Sequence, residues 1–137
     1  QGLKNRVSEL GLTKEVLFLG NEPEIEKPLS AGDIFAAPYL WPEAFGLSVL
    51  EAMAVGLPVA GSISGGIVEL LGHGKFGLLF ERENTTDLAQ CLVRYAKDAA
   101  LRSDMGNEAR QASLEYTSLR MHERIQQIYG EVLTQKI

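Results

Sequence analysis

The sequence predicts an α/β domain: a three-layer, Rossmann-like arrangement of a parallel sheet with helices on both faces. Three observations predict it. Short continuous apolar runs recur through the first 80 residues, each long enough for one strand buried on both faces. Helical segments separate these runs, as the crossovers of a parallel sheet require. The composition is that of an ordinary core, with 45% hydrophobic and 23% charged residues in 137.

The elements follow in order. Residues 3–10 read as the end of a helix, with Leu3, Val7 and Leu10 on one face and Gly11 as its stop. Val16-Leu17-Phe18-Leu19-Gly20 is the first strand candidate. Residues 24–31 are a short helix. Residues 33–38 are a second strand, ended by Pro38. Residues 47–55 are a helix, and Gly56-Leu57-Pro58 turns into a third strand over 59–63. Gly65-Gly66 opens a loop, residues 67–71 make one or two helical turns, and residues 76–80 are a fourth strand. From there the chain is helical. Thr85 or Thr86 can cap a helix with Leu88, Cys91, Leu92 and Tyr95 on one side. Leu101, Met105, Ala109 and Ala112 mark a second helix, and Met121, Ile125, Ile128, Val132 and Leu133 a third. The last helices are expected to pack on the sheet or to extend across a partner domain. Four strands are few for this architecture, and the chain opens on a helix at Gln1. One or two further strands are therefore expected upstream.

Charge and composition narrow the function. A net charge of −5 with no basic run argues against a nucleic-acid surface. No apolar stretch has the length of a membrane span. The single cysteine, Cys91, cannot form an internal disulfide and suits a reducing compartment. Its place on an apolar helix face assigns it to core packing. His73 has no second histidine at ligand spacing, and His122 falls on a helix surface, so no metal site is expected. Ser48 lacks a nearby base and the glycines of a nucleophile elbow.

Chemistry concentrates in Trp41-Pro42-Glu43-Ala44-Phe45-Gly46-Leu47-Ser48-Val49-Leu50-Glu51. In open α/β sheets the ligand lies beyond the carboxyl ends of the strands, near helix N-termini. Phe45, Gly46 and Leu47 offer backbone N–H groups at a helix start, where free donors and the helix dipole favour a phosphate. Glu43 stands in the loop before that helix, where an isolated glutamate is most often a solvated charge. Glu51 lies four residues after Leu47 on a face flanked by Leu50 and Ala54, which is expected to point at the sheet. A partly buried carboxylate there needs partners. Sugar hydroxyls and an internal hydrogen bond or ion pair serve equally well, and the helix alone does not choose between them. Ser64-Gly65-Gly66 offers a second flexible turn where backbone can approach a ligand, or an ordinary strand-to-helix loop.

Together these segments resemble the C-terminal nucleotide-sugar-binding domain of the group 1 glycosyltransferases, the retaining family 4 with the GT-B fold. The resemblance is carried by PEAFGLSVLEAMAVGLPV, in which seven residues separate Glu43 from Glu51. It extends upstream through LGLTKEVLFLG and SAGDIFAAPYLWPE, and downstream through GSISGGIVELLGHGKFGLLFERENTTDLAQCLVRYAKD. It covers nearly the whole chain and is specific for family, not for substrate.

The resemblance implies that residues 1–137 are a partial donor-binding domain of a longer enzyme, incomplete at its N-terminus. That enzyme would transfer a hexosyl-type group from a nucleotide-diphosphate sugar to a glycan, lipid or other acceptor held by an N-terminal domain. Glu51 would accept hydrogen bonds from the ribose, and Glu43 would serve catalysis near the reacting end of the sugar. The amides of Phe45, Gly46 and Leu47 would lie against the distal phosphate or the sugar. Ser64, Gly65 and Gly66 would line the same cleft, and segments near Gly20 and Pro38 would border the base. No cofactor or metal is implied, because the helix start and a basic pair upstream of Gln1 would neutralise the diphosphate. The location implied is cytoplasmic, including the membrane surface. Val68 stands where the family often has proline, which is expected to loosen the Gly65-Gly66 turn, and Ala44 replaces a frequent glycine. Two other readings compete: a binding or interaction module that has lost transfer chemistry, and a nucleotide-sugar epimerase on the same fold. The intact glutamate pair favours the transferase.

Overall fold

The computed structural model describes residues 2–134. Three strands, β1 (Phe35–Ala37), β2 (Val59–Ser62) and β3 (Leu78–Phe80), form one parallel sheet in the order β1-β2-β3. Phe35 pairs with Val59, and Ala60 with Leu78. The helices are α1 (Gly2–Glu9), α2 (Glu26–Ser30), α3 (Leu47–Ala54), α4 (Gly66–Leu70), α5 (Thr85–Lys97), α6 (Ala99–Ser113) and α7 (Ser118–Thr134). Two short 3-10 turns, Gly72–Gly74 and Leu114–Tyr116, complete the chain.

Alternation along the central strand divides the core. Val59 belongs to a cluster with Val49, Ala52 and Met53 of α3 and Ile67 and Leu70 of α4. Ala60 points the other way, into a cluster with Phe80 and with Cys91 and Tyr95 of α5. All four residues of β2 are buried, as a strand covered on both faces must be. The predicted layers are therefore present. Helix α6 touches both clusters: Leu101 and Met105 pack against the second, and Ala109 lies in the first. Cys91 is buried as expected, and desolvation raises its thiol pKa.

Tyr95 ties the sheet together. Its hydroxyl donates to Val59 O at 3.0 Å and accepts from Leu78 N at 3.1 Å, so it bridges β2 and β3 where their ladder begins. Burial pushes this phenol up to about 12. The unfolded phenol titrates near 10, so the native state keeps its proton to higher pH. The stabilisation is whole below about pH 10 and is lost as pH rises through about 12. Tyr95→Phe strands a buried N–H and a buried carbonyl, at a cost of about 1–3 kcal/mol. It also removes this part of the alkaline sensitivity. Urea titrations at pH 7 and above pH 10 check both effects, and equal midpoints for variant and parent at pH 7 would refute the bridge.

Two local expectations are corrected. Residues 16–20 form no strand, and Leu17 is 81% exposed. Among the described residues no strand lies alongside this segment, so its N–H and C=O groups have no ladder to join; the sheet has three strands, not four. The cap of α5 is Asn84, not Thr85 or Thr86: its Oδ1 accepts from Thr86 N and Asp87 N, both at 3.1 Å. Asn is at least as good a cap as Thr, and one position earlier it reaches both free donors. Of the last helices, α6 packs against the core and α7 buries none of its residues. Met121, Ile125, Ile128 and Val132 remain exposed along it. Among the described residues no helix is long and apolar enough to cross a membrane.

Candidate functional site

Two loops leave the carboxyl ends of β1 and β2 side by side, and hydrogen bonds fasten them at every second residue. Ser62 Oγ donates to Tyr39 O at 3.1 Å, and Ser64 Oγ donates to Trp41 O at 2.8 Å, both across 23 residues of chain. Gly66 N then donates to Glu43 O at 2.8 Å. Parallel pairing thus continues past the strand ends, with serine hydroxyls standing in for two backbone donors. The loop that carries Glu43 is a fixed extension of the sheet.

The glycine pair makes this approach possible. Gly65 has φ +49°, and a Cβ there would stand 2.1 Å from Glu43 O. A Cβ on Gly66 would stand 2.4 Å from Ala44 O. The Ser64-Gly65-Gly66 turn makes a close backbone-to-backbone contact with the Glu43 loop. Ser64 is buried and spends its proton on Trp41 O, so its side chain is structural. Val68 does not loosen the turn; it lies inside α4, and the bond from Gly66 N pins the turn before it.

At the end of the loop Gly46 takes a left-handed conformation, φ 92° and ψ 58°, and no side chain caps α3. Among the described residues the N–H groups of Gly46, Leu47 and Ser48 have no backbone acceptor, because the first bonds run from Val49 and Leu50 to Gly46 O. Phe45 N reaches Glu43 Oε1 at 3.4 Å, which turns the carboxylate toward the same helix start. Tyr39 Oη and Ser48 Oγ lie 2.5 Å apart and tie the end of β1 to the first turn of α3. Uncapped donors, the positive end of a helix dipole and a carboxylate therefore meet at one place. Such a place suits a ligand with an anionic part and a hydroxylated part.

Glu51 is placed differently from the expectation. It is exposed, because α3 buries Val49, Ala52 and Met53 and turns Leu47, Glu51 and Ala54 outward. Among the described residues its carboxylate makes no side-chain hydrogen bond or ion pair, which removes the internal-partner reading. Leu47 is one turn ahead of it on the same open side. The structure thus brings Glu43, Phe45, Gly46, Leu47, Ser64, Gly65 and Gly66 together and leaves Glu51 accessible beside them. Sequence reasoning missed Tyr39, whose bond to Ser48 carries no local signal. It also missed Tyr116, whose ring packs on Phe45 from far along the chain. Beneath Phe45, Leu47 and Leu50 a cleft of about 610 Å³ opens toward Tyr116, Met121 and Arg124. His73 and His122 are exposed, and no group of three metal-ligating side chains occurs among the described residues.

A parallel sheet with its open site at the carboxyl ends of the strands places the chain among the doubly wound α/β proteins that bind ligands at that edge. Comparison with known proteins gives the family. The family described as glycosyl transferases group 1 matches residues 1–112, and the chain belongs to it. The chain is 36% identical over 128 residues to the N-acetyl-alpha-D-glucosaminyl L-malate synthase of Bacillus anthracis, covering 93% of this chain and 33% of that protein. Anabaena HepE, solved with UDP, superposes with a TM-score of 0.89 at 28% identity, over 95% of this chain and 36% of HepE. The C-terminal domain of the group 1 protein LpcC from Francisella tularensis superposes with a TM-score of 0.72 at 26% identity, over 85% of this chain and 62% of that one. These neighbours confirm the GT-B type of α/β fold. The chain spans about a third of the length of the first two relatives.

Proposed function

We propose that this chain is a partial C-terminal donor-binding domain of a longer retaining glycosyltransferase, which moves a hexosyl-type group from a nucleotide-diphosphate sugar to a glycan, lipid or other acceptor. The observation that carries the reading is the uncapped start of α3, with free amides at Gly46 and Leu47 and the Glu43 carboxylate held beside them. HepE, similar in fold over 95% of this chain, was solved with UDP and with UDP-glucose, so a UDP-sugar is the first donor to test. In this reading the amides of Phe45, Gly46 and Leu47 face the distal phosphate or the sugar. Glu51 accepts hydrogen bonds from the ribose hydroxyls. Ser64, Gly65 and Gly66 contribute the wall that holds the loop.

The chemistry follows from charge. When the bond from the anomeric carbon to the diphosphate oxygen breaks, the sugar becomes cation-like and negative charge gathers on the leaving group. Fixed donors at the helix start, with basic side chains from the rest of the enzyme, answer the second charge without reorganisation, and a metal is not required. Glu43 answers the first. The acceptor is held by the N-terminal domain. The location that suits this reading is the cytoplasm, including its membrane face.

Glu51 gives the test. In the full-length protein Glu51→Ala should weaken bare UDP, since losing a hydrogen bond to a charged group costs about 1.5–3 kcal/mol. That is on the order of tenfold or more in affinity. Calorimetry with UDP measures it. Unchanged affinity in a folded Glu51→Ala protein would remove the ribose assignment, and failure of the parent protein to bind any UDP-, GDP- or ADP-sugar would remove the donor reading itself.

A further inference from the structure

One residue that packs on the Glu43 loop lies beyond the family match, which ends at residue 112. Helix α6 packs on α3 and ends at Ser113, whose Oγ donates to Arg110 O at 2.8 Å. The 3-10 turn Leu114–Tyr116 then carries the chain back to the start of α3. There the Tyr116 ring meets the Phe45 ring edge to face, with centroids 5.7 Å apart and planes at 62°. Tyr116 also borders a small cleft with Ala44 and Gly66, and it lines the larger one under Leu47. It thus stands against the flank of the loop at the point where the free amides begin.

We propose that Tyr116 is a positioning residue for the donor: its ring fixes Phe45 and so holds the amides of residues 45–47 and the Glu43 carboxylate in register. This rests on the donor-binding reading above. Phe45 is 38% exposed, and its N–H is the group that reaches Glu43 Oε1. Gly46 follows it in a left-handed conformation and has no side chain of its own to resist rotation. The serine and glycine bonds hold the loop only as far as Glu43. Past that point Gly66 backs the main chain of Ala44 and Phe45, and the aromatic contact restrains the Phe45 side chain. Among the described residues the Tyr116 hydroxyl makes no hydrogen bond to protein, so the ring acts and the hydroxyl does not.

The test compares full-length parent protein with Tyr116→Ala, Tyr116→Leu and Tyr116→Phe. Amide hydrogen exchange at residues 45–48 without ligand reads the loop directly. Steady-state kinetics, with whichever of UDP-, GDP- or ADP-glucose the parent protein uses, read its consequence. Aromatic pairs of this kind support an effect of about two- to tenfold. Tyr116→Ala should speed exchange and raise the donor KM by that factor, with kcat moving less than KM. Tyr116→Leu should fall between, and it replaces Tyr116→Ala if that variant does not fold. Tyr116→Phe should match the parent in both. Unchanged exchange in the Ala and Leu variants would overturn the proposal. So would a fall in kcat and thermal midpoint with KM unmoved, the signature of a merely structural role, or a Tyr116→Phe protein as impaired as Tyr116→Ala. Should the parent bind no UDP-, GDP- or ADP-sugar, the donor reading fails and takes the positioning role with it; faster exchange in Tyr116→Ala would still show that the ring holds the loop.

Discussion

Glu43→Gln in the full-length protein should lose about a hundredfold in turnover while bare UDP binds within about twofold of the parent. Removing one preorganised electrostatic group at a reacting centre has that order of effect. The substitution keeps the size of the side chain and its ability to accept from Phe45 N, so the loop should stay in place. The main chain of Glu43 is also held independently of its carboxylate, through the bond from Gly66 N. Loss of rate would therefore report the missing charge and not a displaced loop. Initial rates with a saturating UDP-sugar and acceptor, paired with calorimetry on UDP, measure the two quantities. Equal turnover in variant and parent would place Glu43 outside the chemistry. Equal turnover together with an unaltered Glu51→Ala protein would leave the glutamate pair as a feature of the helix and favour a binding module.

Gly65→Ala should weaken donor binding at least tenfold although Gly65 offers no side chain to any ligand. The new methyl group would stand 2.1 Å from Glu43 O, far inside contact distance, in a backbone conformation that L residues rarely adopt. Backbone strain of this kind costs about 1–3 kcal/mol where the structure tolerates it. Here the less costly escape is to break the bond from Gly66 N and let the Glu43 loop move off. The expected result is a folded protein with a modestly lowered melting temperature and at least tenfold weaker donor binding. Melting by circular dichroism and calorimetry with the UDP-sugar read the two effects. Parent-like affinity would show that the path of the loop does not depend on this contact.

Much of this arrangement is legible in the sequence. Strands at 35–37, 59–62 and 78–80 fall within the apolar runs, and the helix start at Gly46 lies where the glycine and the following apolar residues put it. The failures have physical causes. Residues 16–20 are as apolar as a strand, but a strand is a relation between two segments, and among the described residues nothing pairs with this one. Helix α3 is apolar nearly all round, so Val49-Ala52-Met53 and Leu47-Leu50-Ala54 are equally good inner faces by periodicity. Only packing against α6 and the sheet chooses the first and leaves Glu51 outside. The packing role of Ser64 and Gly65 is hidden because small size and polarity serve equally for approach to a ligand and for approach to another loop. The contact of Tyr116 with Phe45 depends on the chain returning across the whole fold, which no local pattern encodes.

The fastening between the two loops has a consequence for how such a site can change. Every acceptor in it is a main-chain carbonyl: those of Tyr39, Trp41 and Glu43. A carbonyl is supplied by any amino acid, proline included. Leu40, Trp41 and Pro42 can therefore be exchanged without loosening the grip, and Leu40 and Trp41 are largely exposed, at 57% and 81%. The demanding positions lie on the opposite strand, where two hydroxyls and two glycines are required. Invariance and variability are thus assigned to different segments. One segment stays fixed as the jig, while the other is free to drift in side-chain identity beside a carboxylate whose backbone does not move. A fold built this way can change what it recognises without rebuilding what holds it.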